Sequence, residues 1–175
     1  ESSINDWIYI KIGSIPFIAT ASRDRTIQIF YKIANTWTLF QTLSIHKGNV
    51  LKLKYFKNNL YASSSDRNFS IHRFFYKDED NSEDHDISDD NICLDSSNYE
   101  SISIELKKLI SVKNSPVYFD IYHDDLIIST NDKKLTIFNL HSLESIKTIK
   151  LMNSKSESLQ IDHFVVSEGV IYTSS

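Results

Sequence analysis

The stretch "ASRDRTIQIF" (residues 21–30) sets an alternating apolar and polar run directly after a Ser-Arg-Asp-Arg corner, and "SSSDRNFSIH" (63–72) nearly repeats it. A looser third copy is "STNDKKLTIF" (129–138). Aligned on the acids, Asp24, Asp66 and Asp132 each follow Ser22, Ser64 or Thr130 by two residues and precede Ile27, Phe69 or Leu135 by three. A turn between two strands leaves backbone donors open, and an aspartate can accept from them, so the phrase reads as a corner brace.

Working outward, short strand-like runs fill the chain: residues 7–12, 17–22, 26–33, 37–44, 50–56 and 60–65, then 101–110, 117–123, 126–131, 135–140, 145–151, 160–166 and 170–175. Runs this short, several of them alternating, predict half-buried strands. Only 101–110 could pass for a short helix, and its alternation favours strand. Gly and Pro number 3 and 2, so Asn, Asp and Ser have to make the turns.

Composition sets the class. With 41% hydrophobic and 24% charged residues, the 175-residue chain has the balance of one globular domain. Residues 78–100 hold ten of the 23 acids and no Lys or Arg, so the 13 acids left face 19 basic residues, a body of about +6 carrying an acidic, flexible loop insert. Ser88, Ser96 and Ser97 in that insert are candidate phosphorylation sites. The single cysteine, Cys93, forms no internal disulfide, and no apolar run approaches the roughly 20 residues of a membrane helix. The expected location is cytoplasmic or nuclear, with no membrane contact.

Asp24 and Asp66 are 42 residues apart; Asp66 and Asp132 are 66 apart, or about 43 without the acidic segment. A period near 40–45 residues with about four strands per unit is that of a β-propeller blade. The expected fold is all-β: about four blades of four-stranded antiparallel sheet, with portions near 1–36, 37–77, 101–142 and 143–175 and the insert at 78–100. About four blades are fewer than a ring of about seven requires, so other chain segments or subunits are expected to complete it.

The corner phrase resembles the WD-repeat family, whose units run from a Gly-His loop through Ser-x-Asp-x-Thr-Ile to a Trp-Asp strand end. Ser22, Asp24, Thr26 and Ile27 match in the first unit, His46, Ser64 and Asp66 in the second, and Thr130 and Asp132 in the third. The Trp-Asp places hold Phe30-Tyr31, His72-Arg73 and Phe138-Asn139, and Lys113 stands near the third histidine place. The resemblance implies a hydrogen-bonded brace of Asp, His, Ser or Thr, and Trp in each blade, kept best in the second unit with His72 in the Trp slot. Strand order and the Gln-Thr-Leu run before the His loop look like the mitogen-activated-protein-kinase-binding scaffold group. That group implies protein assembly in kinase signalling or spindle organisation.

Catalysis has little to stand on. There is no Gly-x-Ser-x-Gly elbow, no phosphate-cradling glycine loop, and the six histidines are dispersed without paired metal-ligand spacing, so the chain is read as a non-enzyme with no cofactor and no metal. Recognition is better placed. Arg23, Arg25, Lys47, Arg67, Lys133 and Lys134 cluster around the corners and form a candidate partner face for acidic or phosphorylated segments, although exposed turns are charged in many proteins. The alternative reading is a structural subunit of a ribonucleoprotein particle such as a ribosome-assembly complex, with RNA contact inside the larger particle.

Overall fold

The computed structural model describes residues 2–77, 84–86, 101–150, 152 and 161–174, and all its regular elements are strands. They form four successive antiparallel sheets. The first holds β1 (Ile4–Ile12), β2 (Ile15–Ser22), β3 (Ile27–Ile33) and β4 (Thr36–Leu43), paired in chain order. The second holds β5 (Val50–Phe56), β6 (Asn59–Ser64), β7 (Asn68–Lys77) and β9 (Ile102–Ser111), with the short β8 (Asp84–Asp86) also on β7. The third is β10 (Pro116–Tyr122), β11 (Asp125–Thr130), β12 (Lys134–Asn139) and β13 (Ser145–Lys150); β14 (His163–Ser167) and β15 (Val170–Ser174) pair as a fourth.

The sheets are blades of one design. Each of the first three has a bulge where its first strand begins, at Ile4/Asp6, Val50/Lys52 and Pro116/Tyr118. Each has another between its third and fourth strands, at Ile29/Phe30, Ile71/His72 and Ile137/Phe138. Bulges add twist and re-aim side chains, so their recurrence carries the same local shape from blade to blade.

First strands abut. β1 lies against β5, and Asp6 accepts from the Leu53 amide (2.8 Å) and pairs with Lys52 (3.4 Å). Lys54 pairs onward with Asp120, and Tyr118 meets Phe164 edge to face at 5.2 Å. The core is accordingly three layers between blades. Phe17, Leu53, Leu60 and Phe74 pack in the first, Phe69, Ile71, Phe119 and Leu126 in the second, and Ile127, Leu135, Ile161 and Phe164 in the third. An edge-to-face pair crosses each of the first two layers, Phe17–Phe74 at 6.2 Å and Phe69–Phe119 at 4.7 Å, a geometry aromatic quadrupoles favour. Because the second sheet is covered on both faces, every residue of β6 is buried. Among the described residues the outer sheets are covered on one face only, and Trp7, Tyr9, Val165 and Tyr172 stay exposed.

Two expectations are corrected. The portions drawn at 1–36, 37–77, 101–142 and 143–175 are out of phase with the sheets: β4 pairs with β3, β9 with β7 and β13 with β12. Just before the expected boundary between 36 and 37, Ala34-Asn35 makes a tight hairpin with φ of 43° and 73°, and Lys57-Asn58 makes another at 46° and 58°. Positive φ at both central residues matches the twist of paired strands, and asparagine tolerates it best after glycine. The insert at 78–100 is also not wholly loop, because β8 pairs with Phe75–Lys77. β6 stops pairing with β7 at Arg73, which leaves backbone groups of β7 open beyond it, and β8 fills that edge. Residues 78–83 and 87–100, with Ser88, Ser96 and Ser97, lie outside the described residues.

Candidate functional site

All three corner aspartates sit between the second and third strands of their sheets, and all three corners have one backbone form. The amides of Arg25, Arg67 and Lys133 donate to the carbonyls of Ser22, Ser64 and Thr130 at 3.3, 3.2 and 3.0 Å, and the donor residues have φ of 76°, 65° and 65°. Each corner is tied to the segment entering its own blade: Arg23, Ser65 and Asn131 donate their amides to Ser3, Asn49 and Ser115. The corners and the entering loops therefore share one face of the molecule. A side chain at left-handed φ costs about 1 kcal/mol that glycine does not. Arg67→Gly is therefore expected to raise unfolding stability by up to about 1 kcal/mol, measured by urea denaturation; a loss would show that the guanidinium holds the corner.

The second corner is the elaborate one. Asp66 accepts from the amides of Lys47 (2.6 Å) and Asn68 (2.9 Å) and lies 3.4 Å from His46 Nδ1. His46 Nε2 meets Ser70 Oγ at 2.9 Å, and His72 Nε2 meets the same oxygen at 3.0 Å. One proton assignment satisfies the row: His72 Nε2–H donates to Ser70, the Ser70 hydroxyl donates to His46 Nε2, and the His46 Nδ1 proton faces Asp66. The Nδ1 proton attracts the carboxylate without reaching hydrogen-bond geometry, and His72 Nδ1 is buried with no partner among the described residues.

These surroundings set the charges. Burial opposes the Asp66 carboxylate, yet the Lys47 and Asn68 amides, the Ser64 side chain and His46 outweigh it and hold its pKa below the usual value. Burial lowers His46 against the pull of Asp66. His72 is pushed down to about 4, by burial first and by His46 second. Both rings are thus neutral at physiological pH.

The other corners are simpler. Asp24 accepts from the Thr26 hydroxyl (2.6 Å) and amide (3.0 Å) in the open, and the Thr26 hydroxyl is the main reason its pKa is lowered. Asp132 takes the Thr130 hydroxyl (2.6 Å) and the Lys134 ammonium. The serine of the second brace is Ser70, two residues before His72 on the same strand face; Ser64 instead accepts from the Asp66 amide (3.3 Å). Gly48 was also missed. A Cβ there would stand 2.7 Å from the Asp66 amide nitrogen, so glycine lets the His46 loop close onto the corner.

Of the basic residues, Arg23, Arg25, Lys47 and Arg67 are exposed on the corner face, while Lys133 and Lys134 are half-buried. Lys134 is committed to Asp132, so it adds little free charge; Lys113, outside the expected partner face, is exposed and lines a cleft with it. Among the described residues no group of three His, Cys, Asp or Glu side chains is placed to hold a metal ion.

No family model and no curated protein matches the sequence. The structure is similar to a chain of the mitotic checkpoint complex (TM-score 0.65, 12% identity, 98% of this chain and 44% of that one). It is similar to the WD40 domain of Toxoplasma gondii coronin (0.60, 14%, 89% and 35%). It is also similar to the β-propeller domain of Cps50 (Swd1) from Myceliophteria thermophila (0.61, 13%, 85% and 43%). The fold is that of a WD40-type β-propeller portion, and the chain spans less than half the length of each of these three.

Proposed function

We propose that the chain is a non-catalytic platform for protein assembly whose corner face captures acidic or phosphorylated segments. The observation that carries this reading is the exposure of Arg23, Arg25, Lys47 and Arg67 on one face of rigid, hydrogen-bonded corners. A guanidinium held on a fixed corner loses little freedom on forming a paired contact with a carboxylate or phosphate. A similar propeller fold occurs in the mitotic checkpoint complex, which favours protein partners. Within that role we place the chain in kinase signalling or spindle organisation, with the exposed faces around Trp7 and Tyr172 covered by further blades from other segments or subunits.

The test is binding of the protein to acidic and phosphorylated peptides, and in parallel to single-stranded RNA, across a salt series. Peptide binding is expected to weaken with salt and to fall about tenfold or more in the Arg25→Glu, Lys47→Glu, Arg67→Glu triple variant. Unchanged peptide binding in that variant removes the face from the reading, and RNA binding without peptide binding favours the ribonucleoprotein alternative.

A further inference from the structure

A cleft of about 230 Å³ lies between residues 111–114 and the third sheet, and the repeat explains why it is there. Val50 pairs with Ser64 as Pro116 pairs with Thr130, and Ser65 donates to Asn49 (2.9 Å) as Asn131 donates to Ser115 (3.0 Å). A constant offset of 66 residues therefore relates the two blades from the entering loop through the corner. At that offset Val112, rather than Lys113, stands in the place of His46. Asp132, Thr136 and Phe138 take the places of Asp66, Ser70 and His72, and all three line the cleft.

In the second blade the imidazole fills this space. In the third, Val112 is partly buried against the core of the neighbouring layer and offers no polar atom. Asn114 replaces Gly48, whose lack of a Cβ allows the second loop to approach its corner. The cleft keeps the partners an imidazole would use. Asp132 already accepts from the Thr130 hydroxyl and the Lys134 ammonium, and as a carboxylate it keeps lone pairs for one more donor; the Thr136 hydroxyl lies 3.3 Å from the Thr148 hydroxyl, so it can turn to a ring nitrogen. Phe138 and Ile128 supply an apolar wall for the ring.

We propose that this cleft is a binding site for a neutral imidazole, its N–H directed to Asp132 and its bare nitrogen accepting from Thr136, in the arrangement His46 makes with Asp66 and Ser70. The Asp132 charge is already matched by Lys134, and the exposed Lys113 on the cleft lining disfavours a further cation, which selects the uncharged ring over imidazolium or guanidinium. The inference stands apart from the platform reading, since it depends on the third blade's interior edge and not on the exposed arginines.

The probe is imidazole itself, titrated into the isotopically labelled protein at about pH 8, where the free ring is neutral, with amide chemical shifts followed by NMR. Saturable shifts confined to the amides around Val112–Asn114, Thr130–Asp132 and Thr136 are expected. Val112→His, which supplies the ring from the chain, is expected to abolish them and to raise the unfolding temperature. Thr136→Val, which keeps shape and removes the hydroxyl, is expected to weaken binding about tenfold and serves if the first variant folds poorly. Absence of shifts, shifts at other sites, or shifts that persist in both folded variants overturns the proposal.

Discussion

Asp66→Ala is expected to cost about 2–4 kcal/mol of unfolding stability, and Asp24→Ala no more than about 1, although the two acids occupy matching corners of one phrase. The difference is in what each leaves behind. Without Asp66, the Lys47 and Asn68 amides lose their acceptor and the buried His46 keeps an N–H with no charge to face. That ring cannot turn to water, and the Ser70 bond holds its other nitrogen. Without Asp24, the Thr26 amide and hydroxyl are already in the open and water replaces the carboxylate. At about 2–4 °C per kcal/mol for a chain of this size, calorimetry separates the two variants. Equal losses would mean that the row of His46, Ser70 and His72 adds nothing to the corner, and would remove the basis for treating the second blade as the most firmly braced.

The corners could be read from the sequence because an aspartate two residues after a small hydroxyl residue has few other uses in a tight turn. Grouping strands into sheets could not. Whether Ala34-Asn35 is a hairpin or a linker depends on two positive φ angles that neither residue announces as glycine would. β7 was visible only as the second copy of the phrase, since both its faces are covered and the bulge at Ile71/His72 breaks the alternation that marks a strand. The same bulge hid Ser70. Ser64 keeps the fixed two-residue spacing to the corner acid and carries the assignment, while the residue touching both imidazoles sits six positions further on, where only strand register shows that it faces them. The insert's charge could be read directly, but its short strand could not, because β8 answers to open backbone groups of β7 and not to side-chain pattern.

Acidification offers the second large effect. An unfolded histidine titrates near 6.5, whereas His72 in the folded chain is pushed down to about 4. Between those values the unfolded chain binds more protons, so stability is fully present above about pH 6.5 and declines as the pH falls toward about 4. The cause is structural: protonating His72 puts a charge and a new N–H on Nδ1, a buried atom with no hydrogen-bond partner among the described residues. The expected loss across the window is on the order of 3 kcal/mol, and His46, also lowered, adds to it in the same direction. The corner carboxylates Asp24, Asp66 and Asp132 are held below 3.8, so their protonation falls beneath this window and does not mimic it. His72→Phe isolates the contribution, because phenylalanine already fills the matching positions 30 and 138 and the Ser70 hydroxyl keeps His46 as its acceptor. Urea unfolding at several pH values is expected to show a slope between about pH 6.5 and 4.5 that falls by half or more in this variant. A slope as steep as in the parent chain would place the acid sensitivity elsewhere and contradict the neutral-imidazole row on which the second blade's interior is built.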